Sequence, residues 1–288
     1  LLIGFFIRMP TKWLRLIDKL LIILVYIILL LIGVSLSRVE NLGAQLPVIA
    51  AASALLFVCV IGLNVAVLIW FDRRYPIQTE GGSRKANVSI VGSLKQMSCM
   101  LLGFAWGKIM STVWLPPEKL STWCLMLLVL LVGIQLRSGG VKLKDALVSK
   151  RGMQICFLTT VSAMAGGLLF AALMPAVQWN QGVALASGFG WYSLSGIVMT
   201  EAYSPIWGSV VLLNDLAREF SALMFIPVLM RRYPSAAVGL GGATSLDFTL
   251  PVIQSAGGAE AVILAISFGF VINILAPILM VGFSSLGF

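Results

Sequence analysis

Three ionisable side chains, Asp215, Arg218 and Glu219, fall within Asn214-Asp-Leu-Ala-Arg-Glu219, inside an otherwise apolar run. Helical spacing sets Asp215 on one face with Arg218 at i, i+3 and Glu219 at i, i+4, and Asn214 lies one turn before Arg218. In a lipid-spanning helix such groups are expensive and mark substrate or ion pathways. Arg218 can neutralise one carboxylate and join the bundle, a role that suits Asp215. One cation cannot neutralise two carboxylates, so Glu219 is expected to hold a proton or a cationic substrate. The chain has no histidine, so proton-linked chemistry near neutral pH falls to carboxylates.

Two stretches rich in Gly, Ser and Thr interrupt the apolar sequence on either side of that hexapeptide. The first is Ala186-Ser-Gly-Phe-Gly-Trp-Tyr-Ser-Leu-Ser-Gly196 and the second Gly239-Leu-Gly-Gly-Ala-Thr-Ser-Leu-Asp-Phe-Thr-Leu-Pro251. Non-helical backbone survives at membrane depth only when buried in protein or lining a watery cavity. Gly188, Gly190 and Gly196 permit a turn in the first stretch, and Gly241 and Gly242 in the second. Gly188-x-Gly190 followed by Ser193 matches Gly239-x-Gly241 followed by Thr244. Ser187, Ser193, Ser195 and Thr200 can satisfy freed backbone groups, and Thr244 and Ser245 are their counterparts. Asp247 is either a turn residue bonding its own backbone or a site carboxylate opposite Glu219. Trp191 and Tyr192 are either an interfacial aromatic belt or a pocket wall facing a cation. Glu201 either reaches external water or belongs to the site. Asn273 is expected to join helices.

Of 288 residues, 59% are hydrophobic and 11% charged, against about 25% charged in soluble domains. The composition is that of an all-α integral membrane protein, because the apolar runs are continuous rather than alternating. The net charge of +9 lies in short loops between apolar runs, which makes it topological information and removes nucleic acid as a partner. Cys59, Cys99, Cys124 and Cys156 lie in or beside apolar segments without ligand spacing, so neither a metal nor a disulfide is expected. No dinucleotide or P-loop signature occurs, nor a nucleophile–base constellation. No cofactor, ATP drive or enzymatic activity is expected.

The elements that must carry these residues follow from apolar runs at Leu20–Leu36, Pro47–Phe71, Val91–Leu115, Ser121–Leu136 and Met153–Pro175. Leu1–Ile7 is either an anchoring stub or, the reading favoured here, the remainder of a spanning helix that begins upstream; it is not expected to be a signal peptide, since no cationic start precedes it. Lys and Arg concentrate in Arg8–Lys19, Asp72–Lys95 and Arg137–Arg151, which the positive-inside rule puts in the cytoplasm. The intervening loops, with Arg38 beside Glu40 and Glu118 beside Lys119, are nearly neutral. From Gly182 a simple count fails. If Val183–Thr200 crossed, the next helix, Pro205–Met230, would carry Arg231-Arg232 outside. A re-entrant hairpin over Gly182–Tyr203 removes the conflict, with Ser204-Pro205 as N-cap and first residue of a fresh helix. A second hairpin at Gly239–Pro251 enters from the cytoplasm, and a last helix, Ala259–Leu286, ends outside. The expected architecture is about eight transmembrane helices plus two re-entrant hairpins, with both termini outside.

Leu30-Leu-Ile-Gly-Val-Ser-Leu36 matches Leu130-Leu-Val-Gly-Ile-Gln-Leu136, pairing Gly33 with Gly133. Three helices separate the copies, and an odd number inverts the second, as in transporters built from inverted repeats. The expected division is a scaffold over 1–175, with 72–91 as its cytoplasmic linker, and a transport region over 176–288, hairpin–helix–hairpin–helix.

Leu130–Gly140 (LLVGIQLRSGG), Ser187–Gly196 (SGFGWYSLSG), Asn214–Glu219 (NDLARE) and Gly242–Pro251 (GATSLDFTLP) resemble the LysO lysine exporters of bacteria, from about Leu20 to the C-terminus. The resemblance implies export of L-lysine and toxic lysine analogues across the inner membrane, by antiport against protons. It also implies that the family's intramembrane carboxylates fall on Glu219 and Asp247. Carboxylates can receive the two ammonium groups of lysine, while Arg218 or hairpin helix N-termini can receive its carboxylate. Paired inverted hairpins are similar to those of elevator transporters, an analogy of fold alone. The expected partners are L-lysine, protons, the bilayer and a second copy of the chain in a homodimer. Competing readings are a transporter of another solute, such as an anion held by Arg218 and hairpin amides, and a passive channel or membrane anchor of a larger complex. Inverted repeats with broken hairpins favour alternating access over the last two.

Overall fold

The computed structural model describes residues 10–37, 42–77, 90–110 and 149–286, with Ile7 and scattered positions between 116 and 134. Among them every regular element is helical. Helix α1 (Thr11–Ser37) is followed by α2 (Leu42–Phe57), which passes through a π-helical turn at Val58–Gly62 into α3 (Leu63–Arg74). Then come α4 (Ile90–Ile109) and α5 (Lys150–Leu173). Gln45–Arg74, Lys150–Leu173 and Glu260–Ser285 are long and apolar enough to cross a membrane. Composition explains these helices better than caps do: continuous aliphatic sequence must satisfy its backbone within itself where water is excluded. Small residues let the helices approach closely. A Cβ on Gly33 would lie 2.1 Å from the Met100 carbonyl oxygen, and one on Gly103 2.0 Å from that of Leu30, so α1 and α4 cross backbone to backbone. Gly133, the repeat partner of Gly33, lies outside the described residues, as do half of the expected span Ser121–Leu136 and the segments 38–41, 78–89 and 135–148.

The C-terminal part has a different grain. Helices α6 (Trp179–Ala186) and α7 (Tyr192–Ala202) have 8 and 11 residues. At 1.5 Å per residue these are about 12 and 16 Å long, too short for a hydrocarbon core of about 30 Å. Helix α8 (Pro205–Leu229) has 25 residues and is long enough. A second short helix, α9 (Pro234–Gly241), leads through a 3-10 turn at Gly242–Leu246 into α10 (Leu250–Ser285), which breaks at Gly258 (φ 70°). The break separates a short return arm from the apolar Glu260–Ser285, close to the expected last helix.

Contacts fix which ends lie together. Arg151 of α5 bonds Asp72 of α3, and Arg73 reaches Tyr233 after α8, so the basic termini of α3, α5 and α8 share one end of the bundle. At the other end the Trp179 ring of α6 meets Phe283 of α10 edge-on at 6.5 Å. The two short-helix pairs therefore start from opposite ends. Their turns meet between, where the Ala243 N–H donates to the Phe189 carbonyl at 2.8 Å.

Three expectations change in detail. Asp72 is not a linker residue but a buried one in the last turn of α3. Gly196 does not serve a turn: it lies inside α7, where a Cβ on Gly208 would come within 2.6 Å of its carbonyl oxygen. Ser204 does precede a helix with Pro205 at its start, but its side chain makes no capping bond.

Candidate functional site

Helix α8 carries Asn214, Asp215, Arg218 and Glu219 at mid-length, all buried. A charge persists there only where hydrogen bonds replace water, and those bonds run to the two turns. Asp215 accepts from Ser195 Oγ at 2.6 Å, Asn214 Nδ2 at 3.0 Å and Gly190 N at 3.3 Å. It thereby pins the first turn, residues 187–191, to α8. Arg218 donates from Nε to the Leu240 carbonyl at 3.0 Å and from Nη2 to the Gly239 carbonyl at 2.6 Å. Those carbonyls end α9, where a helix leaves acceptors unused and its dipole is negative. Instead of a hydrogen-bonded pair between Asp215 and Arg218, each charge holds its own turn. Asn214 Oδ1 has no hydrogen-bond partner among the described residues.

Left-handed backbone occurs at Phe189 (φ 49°), Gly190 (φ 89°) and Gly242 (φ 61°). The freedom expected of Gly190 is used. In the second turn the requirement falls on Gly242 rather than Gly241, whose φ is −60°. A Cβ on Gly242 would also lie 2.1 Å from the Phe189 carbonyl oxygen and 2.8 Å from Arg218 Nε. Gly188 and Gly241 are needed for space: added Cβ atoms would meet Asp215 Oδ2 at 2.8 Å and Ser245 Oγ at 2.3 Å. The Gly-x-Gly match is thus one residue out of register with the backbone. Thr244 Oγ1 donates to the Gly241 carbonyl at 2.7 Å and Ser245 Oγ to that of Val238 at 2.8 Å. Asn273 goes further than joining helices: its Nδ2 donates to the Ala243 carbonyl at 2.9 Å and holds the second turn.

Where the turns meet α1 and α8 there is a cavity of about 130 Å³. Leu21, Val25, Leu128, Trp191, Tyr192 and Phe248 supply its walls, and Ser193, Thr244, Glu219 and Asp247 its polar side chains. Trp191 and Tyr192 are buried wall residues. Glu219 is 2% exposed, whereas Asp247 is exposed and accepts a hydrogen bond from the Phe248 N–H. Its two readings are therefore compatible, since a turn carboxylate also faces the cavity. Asn214, Asp215, Arg218, Ser195, Ser245, Gly188, Gly241 and Gly242 shape the turns behind it and do not line it; Gly190 does. Glu201 lies exposed on α7, away from it. Leu21, Val25, Leu128 and Phe248 carry no signal that separates a cavity wall from any other apolar residue. A mostly apolar wall with two carboxylates, and no cation among the described lining residues, suits a cationic solute with an apolar stem.

The lysine exporter LysO family model matches residues 97–284. The chain is 41% identical over 289 aligned residues to the lysine exporter LysO of Escherichia coli strain K12, covering 99% of this chain and 96% of that one. It is 43% identical over 190 residues to a protein of Haemophilus influenzae named as a candidate lysine exporter, covering 66% of this chain and 96% of the relative. No solved structure matches.

Proposed function

The chain belongs to the LysO lysine exporter family, a family of transporters and not of enzymes, and from that premise we propose that it is a membrane exporter of L-lysine that works by proton antiport. The observation that carries the reading is the pairing of Glu219 and Asp247, from different elements, on one mostly apolar cavity. The carboxylates receive the two ammonium groups, and the aliphatic and aromatic walls cover the methylene chain. The substrate carboxylate lies toward the N-terminus of α7, which begins at Tyr192 beside the cavity and favours an anion. Arg218 is assigned to the fold instead, because it donates to the end of α9 and does not line the cavity. The same geometry disfavours an anion transporter built around Arg218.

Glu219 alternates between lysine and a proton. Protons and lysine then compete, so lysine binding weakens as pH falls. The short-helix pairs are re-entrant hairpins in a multi-pass protein of the bacterial inner membrane. Residues 176–288 move against a scaffold of 1–175, elevator fashion, in a homodimer. The short lengths of α6, α7 and α9, and the opposite ends from which the pairs start, support this. Uptake of labelled lysine into inside-out vesicles, with and without an imposed pH gradient, tests it. Glu219→Gln should insert and fold yet lose gradient-driven accumulation and the pH dependence of binding. Normal accumulation in that variant would pass the coupling role to Asp247, and uptake without uphill accumulation in the parent protein would mean a channel.

A further inference from the structure

At the basic end of the bundle lies a polar cluster that the cavity does not use. Asp72 precedes the exposed Arg73 and Arg74 yet is itself 2% exposed. Its Oδ1 accepts from Arg151 Nη2 at 2.7 Å and its Oδ2 from the Ala236 N–H at 3.1 Å. Arg151 also donates from Nε to Ser235 Oγ at 3.0 Å, and its guanidinium lies 3.8 Å over the Phe71 ring. Tyr233 occupies the N-cap position of α9 but makes no side-chain capping bond. Asp72 supplies the missing acceptor from another helix, a negative charge at the positive end of the dipole. At the far end of α9, Arg218 binds the last carbonyls. Helix α9, with 8 residues and a length of about 12 Å, is a strut held at each end by the charge its dipole favours. One end is the Asp72–Arg151 cluster, and the other is the turn that carries Thr244 and Asp247 to the cavity.

We propose that Asp72 and Arg151 form a releasable latch that positions α9, and with it Thr244 and Asp247, and that opens when the second short-helix pair moves against α3 and α5. What opens is the pair of bonds to α9, Asp72 to the Ala236 N–H and Arg151 to Ser235 Oγ; a permanent fastening of α9 needs no charged groups there, since apolar packing commonly matches buried charges in stability. The Arg151 side chain is 14% exposed, so water can replace its bond to Ser235 once α9 leaves, while the ion pair itself stays on α3 and α5. Asp72 and Arg151 are positioning residues: neither lines the cavity. The inference rests on the carrier reading, but its main readout needs no lysine, so failure of the latch is distinguishable from failure of the lysine assignment.

The test uses the full-length protein with Cys59, Cys99, Cys124 and Cys156 replaced and a reporter cysteine at Leu68. Leu68 is 0% exposed and lies against Gly239 of α9, where an added Cβ would be 2.2 Å from Leu68 Cδ1. The reporter should react with N-ethylmaleimide only when α9 leaves α3. Asp72→Asn should raise its labelling rate by about tenfold or more, as expected for weakened charge-assisted hydrogen bonds, and should raise the KM for lysine. Asp72→Glu should stay nearer the parent rate than Asp72→Asn, and Arg151→Lys should fall between the parent and Arg151→Gln, since lysine keeps the charge but not the fork. Arg151→Gln should match Asp72→Asn, and the double variant should add little to either. If Asp72→Asn fails to reach the membrane, Arg151→Gln gives the same readout at a partly exposed position. Labelling that stays at the parent rate per folded molecule, with only the amount of protein reduced, would overturn the latch and leave a merely structural ion pair.

Discussion

The first turn, residues 187–191, is held by a carboxylate, and the second, residues 242–246, by a guanidinium three positions along the same helix. The difference follows from what each turn offers. The first leads into α7, and Asp215 takes donors from Gly190 and Ser195. The second follows α9, and Arg218 takes the carbonyls of Gly239 and Leu240. The first turn offers an N–H and a hydroxyl, which a carboxylate accepts, and the end of α9 offers carbonyls, to which a guanidinium donates, so opposite charges hold them. Arg218 complements a helix end and Asp215 a turn amide and a hydroxyl, while Glu219, one residue on from Arg218, lines the cavity. Holding the turns and lining the cavity are divided among adjacent side chains.

The largest expected effect comes from Arg218→Met. It leaves the α9 carbonyls without their donor and Asp215 without its neighbouring cation, at about 3–5 kcal/mol. Unfolding in detergent should show that loss, and Arg218→Lys should recover only part of it, since a point charge cannot reproduce the fork. Parent-like stability in Arg218→Met would break the account of the second turn. Gly242→Ala comes next, because it adds positive-φ strain of about 1–3 kcal/mol to the clash with Phe189. Gly241→Ala should cost less, as its backbone is helical and the nearest atoms are the movable hydroxyls of Ser245 and Thr249; the reverse order would restore the Gly190–Gly241 equivalence. Asp215→Asn should cost about 1–3 kcal/mol, less than Arg218→Met because the amide oxygen still accepts from Ser195. Asn273→Ala should be mildest, about 1 kcal/mol, loosening the second turn alone. Hydrogen exchange should localise that change to residues around Ala243 and leave Gly190 unaffected.

Much of the site was legible from composition because lipid makes polarity conspicuous. Asp215, Arg218, Glu219 and Asp247 stand out as charges in apolar sequence, and the two Gly-rich stretches stand out as breaks in it. The helix limits of α5, α8 and the last span lie close to the expected ones for the same reason. The partners of those charges were not legible. Spacing of i, i+3 suggests that Arg218 serves Asp215, yet the fold brings in Gly190, Ser195, Gly239 and Leu240, all distant in sequence. Asp72, flanked by Arg73 and Arg74, reads as solvated linker until α9 arrives to bury it. The register of the second turn shifted from Gly241 to Gly242 because left-handed backbone depends on where the chain must reverse, and Gly-Gly allows either position. Local composition decides where a polar group is costly. Which group offsets that cost depends on the backbone ends that folding brings within about 3 Å, and only the tertiary structure decides that.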